Sequence, residues 1–257
     1  MTAPDMTEMQ IRRYARHIVL AEIGGVGQSR LIAARVLVLG AGGLGAPLLQ
    51  YLAAAGVGTL GVVDDDTVDL SNLQRQIIHG TEDIDRAKVD SASDSLRRIN
   101  PEIRLITHRE RLNAGNGGAI IAGYDIIADG SDNFTTRYLL NDLCIIARKT
   151  LVSAALLRFD GQLSTFKAHL GDPHPCYRCI FPDEPPADLI PRCETAGIFG
   201  AVAGVMGSLQ ATEVLKEALD LGDSLSGELL MYDGLGTTFR KIRVKRRPGC
   251  ASCGSAG

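Results

Sequence analysis

Four of the six cysteines in this 257-residue sequence form two Cys-x-x-Cys pairs, a spacing typical of zinc sites. The pairs are Cys176 with Cys179 and Cys250 with Cys253, and 70 residues lie between them, so the fold must bring them together. A shell of four thiolates leaves no position open for a substrate, and we therefore predict a structural zinc site. The alternative is a redox dithiol, but neither pair has the strand–helix context of a thioredoxin-type motif.

The two remaining cysteines have different surroundings. Cys144 belongs to an apolar helical pattern that predicts a core position. Cys193 lies between a proline-rich segment (182–192) and a predicted helix, and a helix N-terminus stabilises a thiolate. Cys193 is therefore a candidate for chemistry, with an exposed loop position of no chemical role as the alternative. Two histidines, His17 and His79, show no metal-ligand spacing.

A glycine-rich turn follows a short apolar run and precedes an apolar helical pattern. Its sequence is Gly40-Ala-Gly42-Gly43-Leu-Gly45. Glycines allow phosphates to approach the backbone, and the N-terminus of the next helix favours an anion. Asp64, at the end of the second strand, is placed to bind ribose hydroxyls. The motif predicts a nucleotide, but alone it does not distinguish NAD, FAD, S-adenosylmethionine and ATP.

The polar residues after this turn favour ATP over a redox cofactor. Arg75 and Lys88 suit a phosphate chain that gains charge during a reaction. Asp132 follows a predicted strand and could hold Mg²⁺ that bridges phosphate oxygens. Each has an ordinary alternative, because most Lys and Arg side chains are surface charges and Asn133 could simply cap a helix. Together with Asp64 and Asn72, these residues predict ATP activation.

The composition excludes several classes of protein. Hydrophobic residues make up 45% of the chain, so disorder is excluded, and a net charge of −3 argues against a general nucleic-acid binder. The longest weakly polar stretch, 197–209, is too short to cross a bilayer, and we expect no membrane partner. No secretory signal precedes the paired cysteines, so we expect a soluble, cytoplasmic protein.

Alternating strand and helix patterns must position these residues. Glycines 24, 25 and 27 are expected to end a helix that begins at Glu8, and Asp160-Gly161 indicates a hairpin turn. Alternation of this kind predicts a mostly parallel sheet covered on both faces. The expected strands are 35–40, 59–63, 104–108, 124–128, 150–153, a hairpin over 157–166, 229–232 and 239–244; the expected helices are 85–99, 113–122, 137–148 and 194–219.

Several motifs together resemble the ThiF/MoeB/HesA family, the bacterial relatives of ubiquitin-activating enzymes. The resemblance runs from about Glu8 to the last residues. Its motifs are Arg13-Tyr-Ala-Arg16, the glycine turn, Asp66-Thr-Val-Asp-Leu-Ser-Asn-Leu-Gln-Arg-Gln76, Lys88, Arg98-Ile-Asn-Pro101, Gly130-Ser-Asp-Asn133, Pro175-Cys-Tyr-Arg-Cys179, Gly207-Ser-Leu-Gln-Ala-Thr-Glu213, Met231-Tyr-Asp233 and Pro248-Gly-Cys250.

This resemblance implies an adenylyltransferase that uses ATP, Mg²⁺ and Zn²⁺. Its substrate would be the C-terminal glycine of a ubiquitin-like sulfur carrier ending in Gly-Gly, which later becomes a thiocarboxylate. By analogy, Gly43 backs the phosphates, Ser71 to Arg75 hold them with Lys88, Asp132 carries Mg²⁺, and Cys193 handles sulfur. The resemblance also implies a homodimer, in which Arg16 reaches the other subunit as an arginine finger.

We therefore predict one α/β domain over 8–257, Rossmann-like and doubly wound. It would comprise a helical arm (8–32), a nucleotide-binding half (33–153) and an antiparallel, zinc-binding half (154–257). The small subunit of molybdopterin synthase is the preferred carrier and the thiamine-pathway carrier is the alternative. No rhodanese-like extension follows Cys253, so a separate sulfur donor is expected. A NAD-type dehydrogenase and a silent carrier-binding scaffold are the alternatives from other classes.

Overall fold

The structure is a computed structural model that describes residues 6–185 and 197–254. Its strands are β1 (Arg35–Leu39), β2 (Thr59–Val63), β3 (Arg104–His108), β4 (Ile126–Asp129), β5 (Thr150–Leu157), β6 (Asp160–Phe166), β7 (Glu228–Asp233) and β8 (Thr238–Arg243). Its α-helices are α1 (Glu8–Arg13), α2 (Ala15–Ile18), α3 (Gly24–Ala33), α4 (Gly45–Ala55), α5 (Lys88–Ile99), α6 (Gly117–Ala122), α7 (Phe134–Ile146), α8 (Tyr177–Ile180) and α9 (Gly200–Leu219).

The strands form one sheet in the order β3-β2-β1-β4-β5-β6-β7-β8. Neighbours from β3 through β5 are parallel, and those from β5 through β8 are antiparallel. The predicted parallel sheet with an antiparallel extension is thus confirmed. The strand order reverses between β1 and β4, and in such sheets ligands bind beyond the carboxyl ends of the strands at that point.

Helices cover both faces of the parallel part, which explains its uninterrupted apolar strands. In β1, Val36 and Val38 join a core with α4, α5 and α9, whereas Leu37 and Leu39 join a second core with α6, α7 and α8. The two sets lie on opposite faces because successive side chains alternate across a strand. The sheet therefore holds the ends of β1, β2 and β4 in fixed relative positions.

The N-terminal arm differs from its prediction. The helix from Glu8 is interrupted at Tyr14, and the glycines expected to end it instead begin α3. Tyr14 is buried, and its hydroxyl oxygen accepts a hydrogen bond of 2.8 Å from Asn100 Nδ2. Its ring also fills the space beside Gly56, where any Cβ would lie 2.4 Å from the ring. These contacts with distant parts of the chain account for the interruption.

Other boundaries differ for local reasons. The predicted hairpin is confirmed, but its turn is Arg158-Phe159, and Asp160 and Gly161 already belong to β6. Helix α5 begins at Lys88 rather than at residue 85, because Asp85 adopts a left-handed backbone with a φ of 69°. The helix expected from residue 194 begins at Gly200 within the described residues, and residues 194–196 lie outside them.

The glycines of α9 allow this helix to approach the glycine turn closely. A Cβ at Gly207 would lie 2.4 Å from the carbonyl oxygen of Leu44 and 2.5 Å from Pro47 Cγ. A Cβ at Gly200 would lie 2.4 Å from the carbonyl oxygen of Gln74. The small residues at the start of α9 are therefore needed for packing against the segments that form the site.

We expect Gly207→Ala to lower the free energy of unfolding by about 1–3 kcal/mol, because the added methyl group overpacks the contact with α4. Gly204→Ala is the matched control, since a Cβ there meets no atom within 4 Å. Alanine is favoured over glycine in a helix by roughly 0.5–1 kcal/mol, so this control should be neutral or stabilising. Urea denaturation measures both, and equal effects would contradict the packing described.

Candidate nucleotide site and metal centre

A cavity of about 390 Å³ lies at the carboxyl ends of β1, β2 and β4. Its wall combines the glycine turn, the segment after β2, the loop after β4 and the start of α9. Three of the predicted nucleotide-binding residues, Gly45, Ser71 and Asn72, do not line it. The predicted residues that do are Gly40, Gly42, Gly43, Asp64, Arg75, Lys88, Asp132 and Asn133.

The first and last glycines of the turn lie against each other. Gly40 has a left-handed φ of 86°, and a Cβ at Gly45 would lie 1.8 Å from the carbonyl oxygen of Gly40. Gly45 therefore contributes to the shape of the turn and does not form part of the cavity wall. The N–H groups of Gly42 and Gly43 have no acceptor within residues 6–185 and 197–254. With the N-terminus of α4 beside them, they can bind an anion.

Asp64 supports the base of this turn. Its Oδ2 accepts a hydrogen bond of 2.8 Å from the N–H of Ala41, and its Oδ1 accepts one of 3.0 Å from the N–H of Asp66. The carboxylate is half-buried and lines the cavity. This is the position where an acidic residue can accept hydrogen bonds from ribose hydroxyls.

Arg75 is oriented by Asn72. The Asn72 Oδ1 atom accepts hydrogen bonds from Arg75 Nη2 at 2.8 Å and from Gln76 Nε2 at 3.1 Å. Asn72 does not line the cavity but orients Arg75, which does. Ser71 is exposed, and its N–H and hydroxyl both donate to Asp69 Oδ1.

Lys88 does not have the surroundings of an ordinary surface charge. Its side chain is only 7% exposed, and its Nζ lies 2.6 Å from Asp66 Oδ2. Burial by itself raises the pKa of Asp66, but the hydrogen bond and charge of Lys88 outweigh this and lower that pKa below its usual value. Lys88 is thus a desolvated cation at the cavity, paired with an exposed carboxylate.

Hydrogen bonds to Asp129 attach the loop after β4 to the sheet. The buried carboxylate of Asp129 accepts hydrogen bonds from the N–H and hydroxyl of Ser131 and from the Ser153 hydroxyl. Asp132 is exposed and lines the cavity. Asn133 caps α7, since its Oδ1 accepts the N–H of Thr136 at 2.9 Å, and it also lines the cavity.

Sequence reasoning missed Arg137, a buried cation in the cavity wall. Its Nη2 donates to the carbonyl oxygen of Ser131 at 2.9 Å, and its guanidinium lies 5.3 Å from the centre of the Phe134 ring. Arg137 therefore holds the loop that carries Asp132. Its position one helical turn after the cap residue Asn133 is a signal that could have indicated this role.

Sequence reasoning also missed His79. Among the described residues no metal-ligand cluster contains it, but it contacts the glycine turn directly. Its Nε2 lies 2.9 Å from the carbonyl oxygen of Ala41, and its Nδ1 lies 2.8 Å from Ser91 Oγ. No short motif indicates this contact, because His79 follows Ala41 by 38 positions in the chain.

Arg16 is exposed on α2 and does not line the cavity of its own chain. Cys193 belongs to residues 186–196, outside the described residues, so its predicted role stays a prediction.

The two Cys-x-x-Cys pairs come together as the sequence predicts. All four sulfur atoms lie within 4.8 Å of one another, and all four residues are buried. The distances are 3.8 Å from Cys176 Sγ to Cys179 Sγ, 3.5 Å from Cys176 Sγ to Cys250 Sγ and 3.5 Å from Cys179 Sγ to Cys253 Sγ. A tetrahedral zinc with Zn–S bonds of about 2.3 Å requires about 3.8 Å between sulfurs, so the cluster fits such an ion.

Side chains around this cluster hold the C-terminal segment in place. Ser252 Oγ donates to Asp142 Oδ1 on α7, and Arg246 donates to the carbonyl oxygens of Ala168 and Cys253. The segment after β8 is thereby attached to α7 and to Ala168, two residues after β6. Cys144 is buried away from the cluster, and burial raises the pKa of its thiol far above the usual value, as expected for a core residue.

No helix in residues 6–185 or 197–254 is both long and apolar enough to cross a membrane.

Comparison with solved structures identifies the fold. The crystal structure of E. coli MccB with AMPCPP and SeMet MccA superposes with a TM-score of 0.82, covering 94% of this chain and 74% of that one. The sequences are only 21% identical, so this likeness concerns the fold alone.

Two curated relatives are closer in sequence. The "Adenylyltransferase and sulfurtransferase MOCS3" of Bos taurus is 52% identical over 250 residues, which cover 97% of this chain and 54% of that protein. The chain thus spans about half the length of this relative. The "Sulfur carrier protein adenylyltransferase" of Thermus thermophilus is 46% identical over 250 residues, covering 96% of this chain and 92% of that protein.

A model of one protein family matches residues 14–252, nearly the whole chain. The matched range includes the glycine turn, Lys88, the Asp132 loop and three of the four clustered cysteines, with Cys253 immediately beyond its end. The resemblance inferred from the motifs is confirmed by this match: the chain belongs to the ThiF family.

Proposed function

We propose that this protein adenylates the C-terminal glycine of a small ubiquitin-like sulfur-carrier protein at the expense of ATP. The observation that carries the proposal is that the glycine turn, Arg75, Lys88 and Asp132 line one cavity in a member of the ThiF family. The names of the bovine and Thermus relatives, both adenylyltransferases, support the same activity.

In the proposed reaction, a carboxylate oxygen of the carrier's terminal glycine attacks the α-phosphorus of ATP. The bond from that phosphorus to the oxygen bridging the α- and β-phosphates breaks, and pyrophosphate leaves with the bonding electrons. The products are the acyl-adenylate and pyrophosphate. An anionic nucleophile approaching a polyanion is repelled, so cationic groups around the phosphates are the main requirement of the site.

The chain's own residues meet this requirement. Arg75, oriented by Asn72, and the desolvated Lys88 place two positive charges at the cavity. Lys88 is paired with Asp66. When nucleotide binds, we expect the ammonium group of Lys88 to interact with both the Asp66 carboxylate and the phosphates. Asp64 would accept hydrogen bonds from the ribose hydroxyls. Asp132 would hold a Mg²⁺ ion, which neutralises phosphate charge when bound.

The four-cysteine cluster is proposed to hold one zinc ion with a structural role. A closed shell of thiolates lacks an open coordination position, and the cluster belongs to the antiparallel part of the fold. Free cysteines assembled into a metal site are typical of a reducing compartment, which supports the prediction of a cytoplasmic location.

A homodimer is part of the proposal. Arg16 is exposed and absent from its own cavity, and the same arm exposes the apolar side chains of Val19, Leu20 and Val26. A second copy covering this surface would remove it from water and bring Arg16 to a neighbouring cavity. The molar mass measured by light scattering checks the dimer.

The small subunit of molybdopterin synthase is the preferred carrier, and the thiamine-pathway carrier is the alternative. The separate sulfur donor also stays a prediction. Measuring thiocarboxylate formation with and without an added sulfurtransferase tests whether such a donor is needed.

The experiment that tests the function is carrier-dependent ATP–pyrophosphate exchange with purified carriers ending in Gly-Gly. Radiolabelled pyrophosphate should enter ATP only when a carrier is present, and the preferred carrier should give the highest exchange rate. A carrier lacking its last glycine is the control. Absence of exchange with every carrier would refute the proposal, and calorimetric binding of NAD but not ATP would favour the dehydrogenase alternative instead.

A further inference from the structure

The peptide group between Ala41 and Gly42 lies at the centre of the glycine turn, and its surroundings fix its orientation. The N–H of Ala41 donates to Asp64 Oδ2 at 2.8 Å, which holds the preceding peptide. The carbonyl oxygen of Ala41 lies 2.9 Å from His79 Nε2. Ala41 is fully buried, and His79 and Ser91 are more than nine-tenths buried, so water does not compete for these bonds.

The planarity of the peptide determines where the next N–H points. In a trans peptide the C=O and N–H groups lie in one plane and point in opposite directions. The Ala41 carbonyl points to His79, so the N–H of Gly42 points away from the buried imidazole, and Gly42 itself lines the cavity. Flipping this peptide would remove one N–H from the anion site and direct a carbonyl oxygen at the phosphates.

The hydrogen bond to Ala41 defines one nitrogen of the imidazole. A carbonyl oxygen can only accept, so His79 Nε2 carries a proton and donates it, while Nδ1 lies 2.8 Å from Ser91 Oγ. Burial lowers the pKa of His79, and its bond to the Ala41 carbonyl opposes this shift only in part. The ring is therefore a buried donor to the Ala41 carbonyl, held in place by Ser91.

We infer that His79 is a positioning residue for the nucleotide: by binding the Ala41 carbonyl it directs the Gly42 N–H at the phosphate chain. The inference rests on the proposed function, because it takes ATP as the ligand of this cavity. It assigns His79 no contact with the substrate and no proton transfer.

The test compares two replacements of this histidine. In His79→Gln the amide nitrogen replaces Nε2 and can still donate to the Ala41 carbonyl. In His79→Asn the amide is one carbon shorter, so it can reach Ser91 but not Ala41. His174→Asn is the matched control, since His174 also bonds a serine hydroxyl (Ser226 Oγ, 2.8 Å) but, unlike His79, does not bond the glycine turn.

Binding of ATP and of adenosine is then measured by calorimetry for each full-length variant. We expect His79→Asn to weaken ATP binding about tenfold, the equivalent of one charge-assisted hydrogen bond, and to leave adenosine binding unchanged. His79→Gln and His174→Asn should bind both ligands like the unaltered protein. A purely structural role would weaken ATP and adenosine together.

Unchanged ATP binding in His79→Asn, or an equal loss for ATP and adenosine, would overturn the inference and leave the proposed function intact. Absence of ATP binding by the unaltered protein would overturn both. If circular dichroism shows that His79→Asn does not fold, His79→Gln becomes the test, because glutamine preserves the donor. Normal binding of ATP and adenosine by His79→Gln then supports the inference. A tenfold loss of ATP affinity with normal adenosine binding contradicts it.

Discussion

Replacing Asp132 by alanine is expected to lower carrier-dependent ATP–pyrophosphate exchange about a hundredfold or more. The side chain is exposed at the cavity, on a loop fastened by Asp129 and Arg137, where a carboxylate can hold Mg²⁺ against phosphate oxygens. Metal coordination of this kind stabilises the transition state by several kcal/mol, and each 1.36 kcal/mol corresponds to a factor of ten in rate. Initial exchange rates at saturating ATP and carrier measure the effect.

The control is Asp90→Ala, which removes an exposed carboxylate of α5 that does not line the cavity. Its exchange rate should match that of the unaltered protein. Cys193→Ala provides a contrast, because sulfur handling follows adenylation, and exchange in this variant should remain largely intact.

Retention of exchange in Asp132→Ala at physiological Mg²⁺ would contradict the assigned role. A strong loss of exchange in Cys193→Ala would mean that this cysteine acts before or during adenylation. A thermal melt of each variant distinguishes these outcomes from simple unfolding.

The second large effect is expected from Cys253→Ser. Cys253 is fully buried in the four-sulfur cluster, so the variant should lose its zinc, and its melting temperature should fall by about 10 °C or more. Structural zinc contributes several kcal/mol to folding, and each kcal/mol moves the melting temperature of a protein this size by roughly 2–4 °C. Elemental analysis and calorimetric melting measure the two quantities.

Cys144→Ala is the control for this experiment. It removes another buried thiol, but this one lies outside the cluster, so the variant should keep one zinc per chain. The structural-zinc proposal would be wrong if the carefully purified, unaltered protein contained substantially less than one zinc per chain. It would also be wrong if Cys253→Ser melted at the same temperature as Cys144→Ala.

Much of this site could be predicted because its signals are local. The glycine turn needs only six consecutive residues, and the steric closure of Gly45 on Gly40 is a property of that segment. The repeated Cys-x-x-Cys spacing predicts the metal ligands even though 70 residues separate the pairs, because each pair is a half-site by itself. The order of strands and helices follows from the same kind of short-range pattern.

The parts that could not be predicted depend on contacts between distant residues. The interruption of the first helix at Tyr14 is linked to burial of its ring beside Gly56 and Asn100. The burial of Lys88 beside Asp66 and the bond from His79 to Ala41 require the assembled sheet. No spacing within a segment carries that information, so residues that support a site are harder to predict than those that form its motif.

The strand order has a consequence for how the protein folds. Hairpins β5–β6 and β7–β8 join residues close in the chain, whereas the β1–β4 pair joins Val36 to Ile126. Closing so long a loop costs more chain entropy and slows folding, so we expect the hairpins to form early and the β1–β4 junction late. The nucleotide cavity lies at that junction and would therefore be among the last parts to assemble. When the complete chain refolds, the antiparallel hairpins should therefore form before this cavity is assembled.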